Sequence, residues 1–103
     1  MKVIWMPLAK EALLETANYI RNEFGKIARV KFMQEVKKTS RQIGDNPYIG
    51  KIEPLLEKLP DGYRSMVVKR IDKIVYRIEE NTVEVSDFWN CRRNPDALSA
   101  RIV

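Results

Sequence analysis

The chain has 103 residues, which is enough for one domain and too few for two, so we expect a single domain over residues 1–103. Its 19 Lys and Arg residues outnumber 14 Asp and Glu residues. The net charge of +5 indicates a polyanionic partner, or serves only solubility. One cysteine and no histidine exclude an internal disulfide, a Cys/His zinc site and an imidazole general base, and we expect no metal and no cofactor.

The sequence also lacks the features of a membrane or secreted protein. No stretch approaches the roughly 20 apolar residues of a membrane span. Pro7, Lys10 and Glu11 interrupt the apolar run that a signal peptide would need. We therefore expect a cytoplasmic protein with no membrane partner.

The N-terminal half predicts a strand and two helices. Residues 2–6 are mainly β-branched, aromatic or otherwise apolar and end at Pro7, which is typical of a short strand. Apolar residues then recur at helical spacing over 8–24, and Gly25 predicts the end of that helix. A second helical pattern ends at the breaker sequence Gly-Asp-Asn-Pro at 44–47. Two long helices joined around one glycine predict an antiparallel α-hairpin.

The C-terminal half changes to the period of β-strands. Residues 47–61 are loop-like, with a helical turn expected at 55–59. Residues 63–69, 73–79 and 82–89 are rich in Val, Ile, Tyr and Phe, and their connections are short enough to predict antiparallel hairpins. We predict an α+β fold in which a three-stranded antiparallel meander forms one sheet, with both helices on one face and the other face partly open.

Positive charge is concentrated on this predicted sheet. Within the 14 residues 64–77 there are five cations, opposed only by Asp72: Arg64, Lys69, Arg70, Lys73 and Arg77. Arg92 and Arg93 follow the last strand directly. Because strands of a meander are neighbours, cations from the first two strands can approach these two arginines and hold phosphate groups.

Structural roles compete with binding roles at several positions. Tyr76 lies in an alternating apolar run, which favours a core position. Trp89 is either a core anchor or a stacking platform. Arg77 lies among glutamates, which favours a surface salt bridge over a phosphate contact. The basic second helix, which includes Arg29 and Lys37, is either a solvated face or a binding surface.

Three segments in this order resemble the RelE/ParE superfamily of toxins from type II toxin–antitoxin systems. They are Gly-Asp-Asn-Pro-Tyr-Ile-Gly at 44–50, the strand pair within 62–78, and Asp-Phe-Trp-Asn-Cys-Arg-Arg-Asn-Pro-Asp-Ala-Leu at 87–98. The resemblance covers essentially the whole chain. It implies a growth-inhibiting toxin of a plasmid-stabilisation type. It also implies a cognate antitoxin whose C-terminal segment folds onto the hairpin or the open sheet, giving a toxin–antitoxin hetero-oligomer.

The superfamily has two functional branches. RelE-like members cleave mRNA in the ribosomal A site, and the resemblance then makes Arg64, Lys73 and Arg92 the catalytic cations. ParE-like members inhibit DNA gyrase by binding, without catalysis. Leu98 stands where RelE-like enzymes often carry a terminal tyrosine, and Cys91 where many carry histidine. Leu98 cannot transfer a proton, which disfavours the ribonuclease.

We therefore expect a ParE-like gyrase inhibitor that is not an enzyme, with residues 87–101 implicated in inhibition by the resemblance. The long hairpin and the Asn-Pro-Tyr-Ile-Gly loop favour the same branch. A ribosome-dependent mRNA endoribonuclease and a non-toxic basic nucleic-acid-binding domain remain as alternatives. The candidate contacts with the target or the antitoxin are Arg29, Lys37, Arg70, Trp89, Arg92 and Arg93.

Overall fold

The computed structural model describes residues 1–90. The elements in chain order are β1 (Lys2–Trp5), α1 (Pro7–Phe24), α2 (Lys26–Asp45), β2 (Lys51–Ile52), β3 (Arg64–Val68), β4 (Asp72–Glu79) and β5 (Thr82–Asn90), with a 3-10 turn at Pro54–Leu56 between β2 and β3. Cys91, Arg92, Arg93 and Leu98, which the sequence analysis singled out, lie outside the described residues.

The strands form one mixed sheet in the order β1-β5-β4-β3-β2. The predicted meander is confirmed, because β3, β4 and β5 pair antiparallel in sequence. The predicted N-terminal strand is also confirmed, and it pairs parallel to β5 at one edge. At the other edge, the two-residue strand β2 pairs antiparallel to β3 in a segment that we predicted as loop. Two residues are too short to show the alternation that predicts a strand.

Both predicted helices are confirmed. Pro7 occupies the first turn of α1, where its missing N–H leaves no hydrogen bond unmade. Gly25 separates the helices with a φ of 94°, a conformation that favours glycine, and its N–H donates to the Arg21 carbonyl at 2.9 Å. Neither helix of the described chain combines the length and apolar character needed to cross a bilayer.

The helices bury their apolar stripes on one face of the sheet, as predicted. Leu13 and Ala17 of α1 and Phe32 of α2 belong to one core cluster with Val85 and Phe88 of β5. The Phe32 and Phe88 rings meet edge to face, with centroids 5.9 Å apart. Such a geometry adds about 0.5–1.5 kcal/mol beyond the area buried.

The opposite face of the sheet is less open than predicted. Leu56, from the 3-10 turn, and Tyr63 pack against Val75 of β4 and Trp89 of β5 in a second apolar cluster. The segment between β2 and β3 therefore covers part of the face that we call the outer face. The largely irregular segment before β3 thus contributes to the core, because its few large apolar residues face the sheet.

Candidate functional site

The cations that the structure describes on the sheet, up to residue 90, do not form one cluster. Arg64 is the register partner of Tyr76, whose ring lies in the core between sheet and helices, so Arg64 projects from the helix face. Lys73 is three residues before Tyr76 on β4, and alternation along a strand places its side chain on the outer face. The two candidate catalytic residues of the described chain are therefore on opposite sides of the sheet.

Lys73 is engaged by a buried carboxylate. Glu53 is fully buried, and its Oε1 accepts hydrogen bonds from the Lys73 ammonium and from Ser65 Oγ, the latter at 3.0 Å. Its Oε2 accepts from the Leu55 N–H at 2.9 Å. Burial alone would raise the pKa of Glu53, but these donors and the charge of Lys73 outweigh burial and hold the pKa below its ordinary value. The charge of Lys73 is therefore neutralised inside the protein.

Arg64 binds the loop before β2 and does not form an open phosphate site. Its Nη1 donates to the Gly50 carbonyl at 2.7 Å, and its guanidinium lies 5.0 Å from the centre of the Tyr48 ring. The Tyr76 hydroxyl accepts from the Gly50 N–H at 3.0 Å and donates to the Pro47 carbonyl at 2.7 Å. Burial raises the pKa of Tyr76, so the hydroxyl keeps the proton that this donation requires. The loop is thus attached to the sheet at both of its ends.

The remaining sheet cations are placed as follows. Arg77 contacts Glu84 at 2.8 Å, Asp61 at 3.1 Å and Glu79 at 3.5 Å, which confirms the salt-bridge interpretation. The hydrogen bond from Arg77 to Glu84 raises the pKa of Arg77. Lys69 and Arg70 are exposed in the turn between β3 and β4, where both have a positive φ, of 49° and 78°.

Two residues expected to contact a partner are withdrawn from solvent to different extents. Trp89 is only 1% exposed and lies in the outer-face cluster, so in this conformation it acts as a core anchor and offers no stacking surface. Arg29 on α2 is half-buried, and its Nε has no hydrogen-bond partner among residues 1–90. Lys37, by contrast, is exposed and lines a groove.

This groove, which we call the edge groove, runs along β1 between the sheet and the two helices and has a volume of about 850 Å³. Apolar residues that line it are Val3, Trp5, Leu13, Met33 and Val36. Exposed cations at its margin are Lys2, Lys10, Lys37 and Arg41, accompanied by one exposed acid, Asp45. An apolar floor with a cationic margin is suited to a peptide that is both apolar and acidic.

Close contact between β1 and α2 shapes the edge groove. The Met1 ammonium donates to the Gly44 carbonyl at 2.6 Å, and Trp5 Nε1 donates to Ser40 Oγ at 3.3 Å. A Cβ at Gly44 would lie 3.1 Å from both the Met1 carbonyl and the Val3 side chain, so glycine permits the approach. The other edge of β1 has no strand neighbour among residues 1–90.

Sequence reasoning found Lys37 but missed the other cations of this margin. Lys2 and Lys10 are distant from Lys37 and Arg41 in the chain. The packing of α1 against α2 brings Lys10 to the groove, and the pairing of β1 with β5 brings Lys2. The basic run on α2 was the available signal. It could not distinguish the cations that face β1 from those that face solvent.

The fold and the comparisons identify the family. Residues 3–95 match the family model described as the ParE toxin of the type II toxin–antitoxin system parDE. The chain belongs to the ParE toxin family. Its fold is similar to a solved structure described as the chromosomal ParDE toxin–antitoxin system from P. aeruginosa, with a TM-score of 0.72 and 14% identity over 87% of this chain and 95% of that chain. No individually curated protein sequence matches this chain significantly.

The predicted resemblance and fold class are therefore confirmed. ParE family members are toxins of a two-protein system, so this chain is a toxin and an antitoxin is implied as its partner. The match extends across the described sheet and helices, including β1 and the edge groove from Val3 onward.

Proposed function

We propose that this ParE family toxin acts by binding DNA gyrase, without catalysis, and that an antitoxin neutralises it by occupying the edge groove. Arg64 and Lys73 lie on opposite faces of the sheet, and this separation favours binding over RNA cleavage. Stabilising the charge on one reacting phosphate requires cations that are preorganised around a single point.

Recruiting Lys73 to RNA would also be unfavourable. Moving its ammonium away from Glu53 would leave a buried carboxylate without its counter-charge, and breaking such a pair costs about 3–5 kcal/mol. The chain has no histidine to move a proton near neutral pH. The hydroxyl of Tyr76 is buried and already bonded at both its donor and acceptor sides.

The edge groove supports the proposed antitoxin site through three complementary features. Its apolar floor can take aliphatic or aromatic side chains, and its volume is within the range of protein ligand sites. Its four cations attract acidic residues. The outer edge of β1 can add an extended segment as a further strand. An antitoxin strand placed here would be separated only by β1 from β5, which leads into the region 87–101 that the family resemblance associates with gyrase.

The proposal predicts direct inhibition of purified gyrase. Adding the toxin to gyrase, ATP and relaxed plasmid should reduce supercoiling as the toxin concentration rises, and should accumulate gyrase–DNA breaks. Preincubation with the cognate antitoxin should restore supercoiling. Relaxation of the same plasmid by a type I topoisomerase serves as the control and should be unaffected. Normal supercoiling in a molar excess of folded toxin would exclude gyrase as the target.

A parallel assay tests the endoribonuclease alternative. Primer extension on ribosome-bound mRNA should show the same pattern with and without the toxin. New A-site cuts that disappear in the Arg92→Ala variant would instead assign the toxin to the RNA-cleaving branch.

A further inference from the structure

The loop before β2 presents apolar side chains to solvent. Tyr48 is 65% exposed, and Ile49 and Ile52 are each 45% exposed. Arg64 adjoins them, because its guanidinium stacks on the Tyr48 ring and its register partner in the sheet is Ile52. We call these four residues the Tyr48 surface. Neighbouring apolar residues that stay exposed commonly mark an interaction site.

The backbone under the Tyr48 surface is firmly held. The Pro47 carbonyl and the Gly50 N–H both bond to the buried Tyr76 hydroxyl, and Arg64 bonds the Gly50 carbonyl. The Ile49 N–H donates to the Asn46 carbonyl at 2.9 Å. A Cβ at Gly50 would lie 2.5 Å from the Tyr76 hydroxyl, which shows how closely the loop is fitted. The backbone of this surface would therefore lose little conformational entropy when a partner binds.

The composition of the Tyr48 surface fits a protein partner. Tyrosine and arginine are, with tryptophan, the residue types enriched among those that dominate binding energy at protein interfaces. Within residues 1–90 no carboxylate forms an ion pair with Arg64, so its charge can meet an acid on a partner. A complementary partner would have an apolar depression that accepts Tyr48 and Ile52, and a carboxylate at its border that pairs with Arg64.

The Tyr48 surface and the edge groove are at opposite edges of the sheet. β1 forms one edge and β2 the other, with three strands between them. The two sites approach each other only at the end of α2, because Asp45 lines the edge groove and Tyr48 follows it by three residues. A peptide that lies along β1 would leave Tyr48 accessible, so the two sites can take different partners.

We infer that the Tyr48 surface is a docking site for the toxin's protein target, which presents an apolar depression bordered by acidic residues. The inference rests on the proposed function, because it assumes that the toxin acts by binding a protein. The Tyr48 surface would be a second contact site for the target, in addition to the C-terminal region that the family resemblance associates with inhibition. The surface contributes affinity, so its loss should raise the toxin concentration required and leave the maximal inhibition unchanged.

The test compares Tyr48→Ala with Tyr19→Ala, which removes another exposed tyrosine, 60% exposed on α1. Both variants should retain the wild-type melting temperature. Expressed in bacteria without antitoxin, the wild type and Tyr19→Ala should arrest growth equally. Tyr48→Ala should require about tenfold more toxin for the same arrest. Ile52→Ser is a second variant, and it should show the same defect if Tyr48→Ala does not fold.

The outcomes separate this inference from the choice of target. Equal growth arrest by wild type and folded Tyr48→Ala would overturn the inference. A wild type that arrests growth without inhibiting gyrase would overturn the gyrase proposal, and a selective defect of Tyr48→Ala would still support the docking site. A wild type that causes no arrest would overturn both. A Tyr48→Ala variant that loses affinity only for a duplex DNA probe would show that the surface binds nucleic acid, and the inference would be wrong.

Discussion

Replacing Lys73 with alanine is expected to lower the free energy of unfolding by about 3–5 kcal/mol. Glu53 would remain fully buried after losing the ammonium that neutralises it, while the bonds from Ser65 and Leu55 satisfy only part of its charge. Urea unfolding followed by circular dichroism at neutral pH measures the loss. The effect should be on stability, because Lys73 is assigned no contact with target or antitoxin.

Arg77→Ala is the matched control for this prediction. Arg77 also lies on β4 and pairs with acids, but its side chain is 28% exposed, against 12% for Lys73 and 1% for Glu53. Water screens its ion pairs, so its removal should cost no more than about 1 kcal/mol for each pair. Equal and small losses for both variants would contradict a buried, structurally important Lys73–Glu53 pair.

The Lys73–Glu53 pair also makes the free energy of unfolding depend on pH in the acid range. Because the folded-state pKa of Glu53 is below its ordinary value of 4.5, its contribution is complete above that value and is lost as pH falls through the lowered pKa. In Lys73→Ala, burial is opposed only by the remaining hydrogen bonds, so the pKa of Glu53 should rise. Below pH 4.5 that variant should therefore lose less stability than the wild type as the pH falls, and the difference in stability between the two should narrow.

Reversing two charges at the edge groove is expected to weaken antitoxin binding by about 100-fold. Lys37→Glu with Arg41→Glu places two acids where the proposed acidic segment would lie, so attraction becomes repulsion while the apolar floor is kept. Titration calorimetry of purified toxin with its cognate antitoxin measures the change. The defect should decrease as salt concentration rises, because screening weakens exposed charges.

The control for net charge is Lys31→Glu with Lys38→Glu. These exposed lysines lie on the same helix but do not line the edge groove, and the double replacement changes the net charge by the same amount. Antitoxin affinity should change far less than in the Lys37 and Arg41 variant. Equal weakening by the two double variants would show that overall charge, and not the edge groove, governs the association.

The fold was largely predictable because its signals are local. The helical period and Gly25 indicated the α-hairpin, and the short connections between apolar runs indicated the meander. Tyr76 was predicted as a core residue from alternation alone, and it is completely buried. The acids around Arg77 likewise predicted its ion pairs from nearby sequence.

The site was less predictable because it depends on contacts between distant segments. Alternation places Lys73 and Tyr76 on opposite faces of β4, but the face of Arg64 follows only from the register between β3 and β4. Glu53 lies in a segment without periodicity, and its burial depends on Lys73, 20 residues later. No local pattern in the sequence distinguishes such an acid from an exposed one.

Labelling DNA and protein synthesis in parallel, after the toxin alone is induced, distinguishes gyrase from the ribosome as the target. If the toxin inhibits gyrase, thymidine incorporation falls first while methionine incorporation continues at its initial rate. A collapse of methionine incorporation before any change in thymidine incorporation would contradict the gyrase proposal.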